Sequence, residues 1–418
     1  MSTTIRVPGD KSISHRALML GALADGVGTV ENLLRSADVD STAAVLRTLG
    51  VRIDVEGSRA TVHGLGLGRL AAPSSSLDCG NSGTTTRLMA GIVAAHPFAA
   101  TFVGDASLSR RPMRRVAEPL EAMGARVALD SGDGLPMTVQ GASLHSIGWT
   151  TRTASAQIKS AILLAALTAR VPVTVTEPRL SRDHTERMLR GRGVEVTVDG
   201  TTISLGVAQR LPAVPITVPG DPSGAAFFVA LAAMYPGAEV RIPDVCLNPT
   251  RAGFMEVVRR MGAPVESQDG TRSMGGEPVG TIIARPAPHL RGVTVGGDEI
   301  PSMIDEVPIL AALAARADGE TIVRGAGELR VKESDRIAAT VANLRAVGAE
   351  AEELEDGLVV RGSQRPLRGR VVTHGDHRLA MAFGVLGSLP GNDIVVDDPA
   401  CVAVSYPNFW DDLRRVAS

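Results

Sequence analysis

Lys11, Ser12 and Arg16 stand just behind a Pro8-Gly9-Asp10 turn and just ahead of the apolar run from Ala17 to Ala24. A turn followed by a Ser-rich segment and an apolar run predicts a helix whose first N–H groups, at the positive end of the dipole, face outward and attract an anion. Lys11 adds a point charge and Arg16 a planar fork, the cation types that hold phosphate and carboxylate. A solvated helix cap is the plain alternative. It weakens because the plan recurs, most clearly at Pro219-Gly220-Asp221-Pro222-Ser223 before another small-residue helix.

Looser copies bring further candidates. Asn81-Ser82-Gly83-Thr84 offers N–H groups and hydroxyls at a helix start, with Gly83 allowing close approach to a ligand. The run from Ser109 to Arg115 carries four arginines around Pro112, of which Arg111 is the one a turn can aim inward, while Arg114 and Arg115 fit a solvated face. Ser155-Ala156-Gln157 supplies a hydroxyl and an amide, and Arg182-Asp183-His184-Thr185-Glu186 opens a helix at which acids also suit the dipole. Asp305 lies in an otherwise apolar stretch, where a neighbouring cation and partial burial would make it a proton acceptor. Lys332, Glu333 and Arg336 crowd at an expected helix start, where spacing puts Lys332 and Arg336 on one face. His374-Gly375-Asp376-His377-Arg378 ends the set; two His without a third ligand do not make a metal site.

These residues must be positioned by repeated elements. The helix-start motif recurs at roughly 70 to 80 residues, a spacing that indicates a repeated subdomain. Between copies lies a second helix that ends in Gly, at Gly50, Gly124, Gly193, Gly262 and Gly348, as expected of a left-handed cap before a strand. Six such units account for nearly the whole chain and divide as three plus three. The two Pro-Gly-Asp turns mark the expected crossings, near 8–11 and 219–223. One lobe would then hold 10–220, and the other 1–9 with 221–418. Such a double hinge would let the halves close over a ligand, so that Lys11, Arg16, Arg111, Arg182, Lys332, Arg336 and Arg378 converge around Asp305 and Glu333. Seven cations around two acids imply two anionic ligands.

Composition bounds the reading. At 418 residues and 44% hydrophobic side chains the chain can build large cores, and 3% aromatics with abundant Ala and Gly predict close helix packing. A net charge of −2 gives no polycationic surface for nucleic acid. Cys79, Cys246 and Cys401 are too scattered for a disulfide framework or a zinc cluster and are expected to be buried. No apolar run spans a bilayer and the first residues lack a signal-peptide core, so a cytoplasmic protein is expected. Neither a Walker loop nor a dinucleotide fingerprint appears.

Taken in order, the motifs resemble the enolpyruvyl transferase family and, within it, the shikimate-pathway branch blocked by glyphosate. The resemblance runs through Gly9-Asp10-Lys11-Ser12, Gly80-Asn81 with Gly83-Thr84, Arg111-Pro112, Ser155-Ala156-Gln157 with Lys159, Arg182 with His184 and Glu186, Asn248 with Thr250-Arg251, the run Arg330 to Arg336, and Asp376-His377-Arg378. It implies an α/β fold of two domains, each an inside-out α/β barrel of three βαβαββ units. It also implies transfer of the enolpyruvyl group of phosphoenolpyruvate to the 5-hydroxyl of shikimate 3-phosphate through a tetrahedral intermediate, releasing phosphate. By the resemblance, Lys11, Ser12, Arg16, Ser155, Ala156, Gln157, Arg182, Asp305 and Lys332 bind shikimate 3-phosphate. Lys11, Gly83, Arg111, Gln157, Arg336 and Arg378 bind phosphoenolpyruvate. Asp305 is the implied base, and Glu333 with Lys11 the implied proton donors. No cofactor and no metal are called for, the partners are small molecules rather than nucleic acid or membrane, and a monomer is expected.

Two departures qualify the match. The segment Ala403-Val404-Ser405-Tyr406-Pro407 lacks a Lys that many relatives carry there, so that role is not transferred. Three motifs resemble the glyphosate-tolerant class, yet Gly83 stands where a methyl-bearing Ala would crowd the inhibitor. The rival readings are the sister enzyme acting on UDP-N-acetylglucosamine, whose loop Cys is missing between Asp105 and Arg111, and a non-catalytic anion-binding repeat protein.

Overall fold

The computed structural model describes residues 2–130 and 132–418. The chain forms two compact units, one made of residues up to Pro8 with Pro219–Ser273 and Pro278–Ser418, the other of Gly9–Val218 with Met274–Glu277. The short piece Met274–Glu277 is the tip of the hairpin formed by strands Val265–Met274 and Glu277–Ala284. The two expected crossings at the Pro-Gly-Asp turns leave this excursion out, because nothing local in a hairpin tip reveals the unit it joins.

Among the described residues the strands pair into six sheets, five of four strands and one of two. A full repeat is seen at Leu77–Gln140. Strand Leu77–Asp78 pairs parallel with Ala99–Val103, which pairs antiparallel with Met137–Gln140, itself antiparallel to Arg126–Leu129. Helices Gly83–Ala94 and Arg114–Ala122 fill the connections. The order is βαβαββ, as the resemblance implies, and the pairing leaves each sheet open rather than closing a strand barrel.

The first repeat of each unit borrows its leading strand from far along the chain. Ile216–Thr217 runs parallel to Asp25–Glu31, and Ser2–Thr4 runs parallel to Glu239–Cys246.

Each repeat contributes one helix to the interior. In the Gly9–Val218 unit these are Lys11–Ala22, Gly83–Ala94 and Ala156–Ala169; in the other, Pro222–Met234, Val307–Ala314 and His377–Gly387. Val307–Ala314 is buried along its whole length, so it has no polar face at all. Small residues allow the packing: a Cβ on Gly91 would lie 2.2 Å from the Ala161 carbonyl oxygen, so any side chain there would push the helices Gly83–Ala94 and Ala156–Ala169 apart. The outer helices end at Gly50, Gly124, Gly193, Gly262 and Gly348, all with positive φ, the cap conformation that their position predicts.

Among the described residues no helix is long and apolar enough to cross a membrane. Cys79 and Cys246 are buried; Cys401 is only half-buried, because it lies in the 3-10 turn Pro399–Val404, with its thiol on the Asp398 carbonyl.

Candidate active site

The first cluster lies in the Gly9–Val218 unit. Asp10 caps its helix by accepting from the Ile13 N–H at 2.8 Å, which puts Lys11 and Ser12 in the first turn. Lys11 Nζ lies 2.8 Å from Asp38 Oδ2. Arg16 is buried and spends its guanidinium on Thr185 Oγ1 at 2.7 Å, Ser160 Oγ at 2.8 Å and the Ser12 carbonyl at 2.9 Å. Burial pushes it down to about 10; Glu186 and Asp10 oppose the fall, and Arg182 adds to it. Arg16 and Arg182 therefore share one locality, with Ser12 beside them.

The second part of this cluster surrounds Gly83. Ser82 caps the helix by accepting from Thr85 N–H. A Cβ on Gly83 would stand 2.9 Å from Arg87 Nη1 and 3.4 Å from Arg111 Nη1, so the glycine lies between two guanidinium groups. Arg111 donates to Asn81 Oδ1, and to Ser107 Oγ at 3.3 Å. Gln157 accepts from Arg87 Nη1 at 2.6 Å and donates to Thr84 Oγ1 at 3.0 Å. Gly83, Arg111 and Gln157 are thus brought together. Ser155 caps Ala156–Ala169 without any side-chain capping bond, which keeps its hydroxyl off the helix.

A buried chain joins the helix starts. His15 Nδ1 shares a hydrogen bond with Thr42 Oγ1 at 2.6 Å, Thr42 with Thr85 Oγ1 at 2.6 Å, and Thr85 donates to Ser82 Oγ at 2.7 Å. Desolvation holds His15 down to about 3 against the pull of Asp38, with Lys11 and Arg16 lowering it further. A folded pKa below the unfolded value of 6.5 means that this histidine costs nothing above pH 6.5 and destabilises the fold increasingly as pH falls toward 3. By pH 5 the loss should be about 2 kcal/mol. His15→Gln should flatten the stability profile by that amount between pH 7 and 5 in urea titrations; an unchanged slope would refute the role.

The other unit holds the second cluster. Asp305 sits in the 3-10 turn Ile304–Glu306, with Arg336 Nη1 at 3.2 Å and Lys332 Nζ at 3.8 Å from Oδ1, and Arg378 Nη2 at 3.9 Å from Oδ2. Three of the seven cations expected around this carboxylate, Lys332, Arg336 and Arg378, stand beside it. Arg336 is fully buried and also meets Glu333 Oε2 at 2.7 Å and Asp376 Oδ2 at 2.8 Å. Burial opposes its charge, but Asp376, Glu333 and Asp305 together raise its pKa above the ordinary arginine value. Arg378 is in the first turn of the helix His377–Gly387, whose cap is Asp376.

Several expectations need correction. Lys332 and Arg336 do not share a helix face: Gly327–Val331 is a 3-10 turn, Asp335 is the cap, and the helix begins only at Arg336. They meet through Asp305 instead. The acids paired with the cations are more than Asp305 and Glu333, since Asp38 pairs with Lys11 and Asp376 with Arg336. Asp183 makes no side-chain cap and instead pairs with Arg187 at 2.8 Å, while Glu186 turns inward to Lys159. Among residues the sequence reading left without a role, Arg87 stands out, as it touches Gln157 and borders Gly83. It lies four residues after Gly83 on the same helix, so helical spacing was a usable signal. Asp38 and Asp376 carried no such local signal toward their partners.

Among the described residues no group of His, Cys, Asp and Glu is arranged to hold a metal ion.

The sequence matches the family described as EPSP synthase (3-phosphoshikimate 1-carboxyvinyltransferase) over residues 1–413. It is 47% identical over 415 residues to the 3-phosphoshikimate 1-carboxyvinyltransferase of Bacillus subtilis, covering 99% of this chain and 96% of that protein. The enzyme of the same name from Geobacillus kaustophilus is 48% identical over 416 residues, with 99% and 97% covered. Among solved structures, EPSP synthase from Acinetobacter baumannii superposes with a TM-score of 0.86 at 40% identity, over 99% of this chain and 95% of that one. The enolpyruvyl transferase NikO from Streptomyces tendae gives a TM-score of 0.76 at 18% identity, over 100% of this chain and 95% of that one, a likeness of fold.

Proposed function

Because the chain belongs to the EPSP synthase (3-phosphoshikimate 1-carboxyvinyltransferase) family, we propose that the two clusters divide the chemistry of that reaction. The enzyme transfers the enolpyruvyl group of phosphoenolpyruvate to the 5-hydroxyl of shikimate 3-phosphate and releases phosphate. The sister reaction on UDP-N-acetylglucosamine is not favoured by a family match that runs the length of the chain. In this assignment Lys11, Ser12, Arg16, Ser155, Ala156, Gln157 and Arg182 hold shikimate 3-phosphate, with Asp305 and Lys332. Phosphoenolpyruvate takes Lys11, Gly83, Arg111, Gln157, Arg336 and Arg378.

The observation that carries the assignment is Asp305 beside three cations at 3.2, 3.8 and 3.9 Å. In the addition step Asp305 takes the proton of the 5-hydroxyl as the hydroxyl oxygen bonds to C2 of phosphoenolpyruvate, and Glu333 with Lys11 supplies the protons to the methylene carbon and, in the next step, to the leaving phosphate. Elimination breaks the bond from C2 to the phosphate oxygen, returns a methyl proton to an enzyme base and leaves the enol ether. Both steps concentrate negative charge on carboxylate and phosphate, so fixed cations lower the barrier without a covalent nucleophile. We assign it as a cytoplasmic monomer needing no nucleic acid; its mass in solution by light scattering tests the monomer.

Purified protein given both substrates should release phosphate without ATP, and dialysis against a chelator should leave the rate unchanged. Silence with shikimate 3-phosphate and activity with UDP-N-acetylglucosamine would reverse the assignment.

Gly83 sets a second test. The two guanidinium ends that a Cβ would meet are flexible, so Gly83→Ala should fold and narrow the space by one methyl. A single carbon in a tight pocket is worth about 10-fold or more. The inhibitory concentration of glyphosate should rise by about that factor beyond any rise in KM for phosphoenolpyruvate. Parallel changes in the two would refute the assignment.

A further inference from the structure

The second Pro-Gly-Asp turn opens a helix as the first does, but it carries Pro222 where the first has Lys11, so it offers an anion no cation. It builds a socket instead. Asp221 caps the helix Pro222–Met234 by accepting from the Ser223 N–H at 2.8 Å. Arg251 Nη2 donates to Ser223 Oγ at 2.6 Å and to Asp221 Oδ1 at 3.2 Å. The Ser223 hydroxyl in turn donates to Glu306 Oε1, and Arg251 Nη2 lies 3.8 Å from the same oxygen. Ser223, Arg251 and Glu306 are all buried. Asn248 aims the arginine: its Oδ1 accepts from Thr250 N–H at 2.9 Å and Oγ1 at 2.8 Å, shaping the 3-10 turn Pro249–Arg251.

Glu306 is the neighbour of Asp305 in the single 3-10 turn Ile304–Glu306. With three residues per turn, successive side chains leave such a turn about 120° apart, so holding one fixes the direction of the next. Arg378 Nη1 donates to the Asp305 carbonyl at 3.1 Å and holds the turn from the other side. A buried acid engaged by a hydroxyl and facing an arginine resists rotation, because any turn of the backbone would strip it of both partners.

We propose that Glu306, clamped by Ser223 and Arg251, is a positioning residue that aims the Asp305 carboxylate. The proposal rests on the reading of Asp305 as the base, and it gives the Asn248 to Arg251 motif and the second Pro-Gly-Asp turn a purpose in catalysis. A base displaced by about 1 Å loses on the order of 100-fold in rate. Glu306→Gln and Ser223→Ala should therefore lower kcat by about 10- to 100-fold, leave the KM of both substrates within about 3-fold, and shift the acid limb of the kcat profile with pH. Ser223→Thr, which keeps the hydroxyl, should restore most of the rate.

Single-turnover measurements in an Asp305→Ala background complete the test. If Glu306 acts through Asp305, adding Glu306→Gln there should cost nothing more, since the effects of a coupled pair do not add. Wild-type kcat in both Glu306→Gln and Ser223→Ala, or an undiminished further loss in the Asp305→Ala background, would overturn the proposal while leaving the base assignment intact. Full turnover in Asp305→Ala alone would remove the base assignment and the proposal with it. Should Glu306→Gln fail to fold by circular dichroism, Ser223→Ala and Ser223→Thr carry the same test.

Discussion

Asp305→Asn should reduce kcat by about 100- to 10,000-fold, the range that a positioned general base supplies, while the protein keeps much of its affinity for both substrates. Two features of the second cluster lead to this expectation. The carboxylate lies among Arg336, Lys332 and Arg378, and its burial is partial, with 12% of the side chain exposed. Removing its charge leaves those cations in place with one fewer acid to balance them, so the affinity for an anionic ligand should hold steady or rise. Calorimetry with each substrate, alongside phosphate release, separates the two effects. Glu333→Gln should show the same pattern. Retained turnover in both variants would overturn the assignment of acid and base, whereas a loss of turnover no larger than the loss of binding would leave Asp305 only its part in holding shikimate 3-phosphate.

Lys159→Met should destabilise the Gly9–Val218 unit by about 3–5 kcal/mol, the usual consequence of breaking a buried ion pair from one side. Lys159 Nζ lies 2.8 Å from Glu177 Oε2 and 2.8 Å from Glu186 Oε1, and all three side chains are shut off from solvent. Without the lysine, two carboxylates face a buried space with no charge between them. Burial by itself would lower the lysine pKa, but Glu186 and Glu177 outweigh it and raise the value. A raised value means that the stabilisation is complete below the ordinary lysine pKa and is lost only in alkali beyond it. The unfolding midpoint of this unit should fall by roughly 10 °C, and Glu186→Gln added to Lys159→Met should recover part of the loss. An unshifted midpoint would refute the role. The cluster also shapes the segment that carries Arg182, since Glu177 accepts from the Ser181 hydroxyl at 2.6 Å and from its N–H at 3.2 Å. Weaker binding of shikimate 3-phosphate should therefore accompany the loss of stability.

Much of the site could be read along the chain because its parts are local. A Pro-Gly-Asp turn caps the helix that follows it through the aspartate three residues away, so Lys11 and Ser12 fall in the first turn without help from the rest of the molecule. The Gly at the end of each outer helix works in the same way, through a backbone conformation that other residues avoid. Six units, their helix starts and the roster of cations followed from such signals. Even so, local reasoning misplaced Lys332, because a run of charges at helical spacing does not reveal that a 3-10 turn and an Asp335 cap precede the helix.

The sequence by itself determined where helices such as Lys11–Ala22 and Gly83–Ala94 begin, which charged groups stand near those beginnings, and how the repeats follow one another, since each depends on neighbours a few residues apart. Only the tertiary structure decided which partner each acid answers: Asp38 the Lys11 ammonium across 27 positions, Asp376 the Arg336 guanidinium across 40, Glu306 the Ser223 hydroxyl across 83. It also decided that Ser2–Thr4 and Ile216–Thr217 serve repeats that begin elsewhere in the chain. The physical reason is one of range. Caps and turns are satisfied within a single stretch of backbone, whereas a buried charge must find its counterpart through packing, and packing joins residues that have no sequence relation to one another.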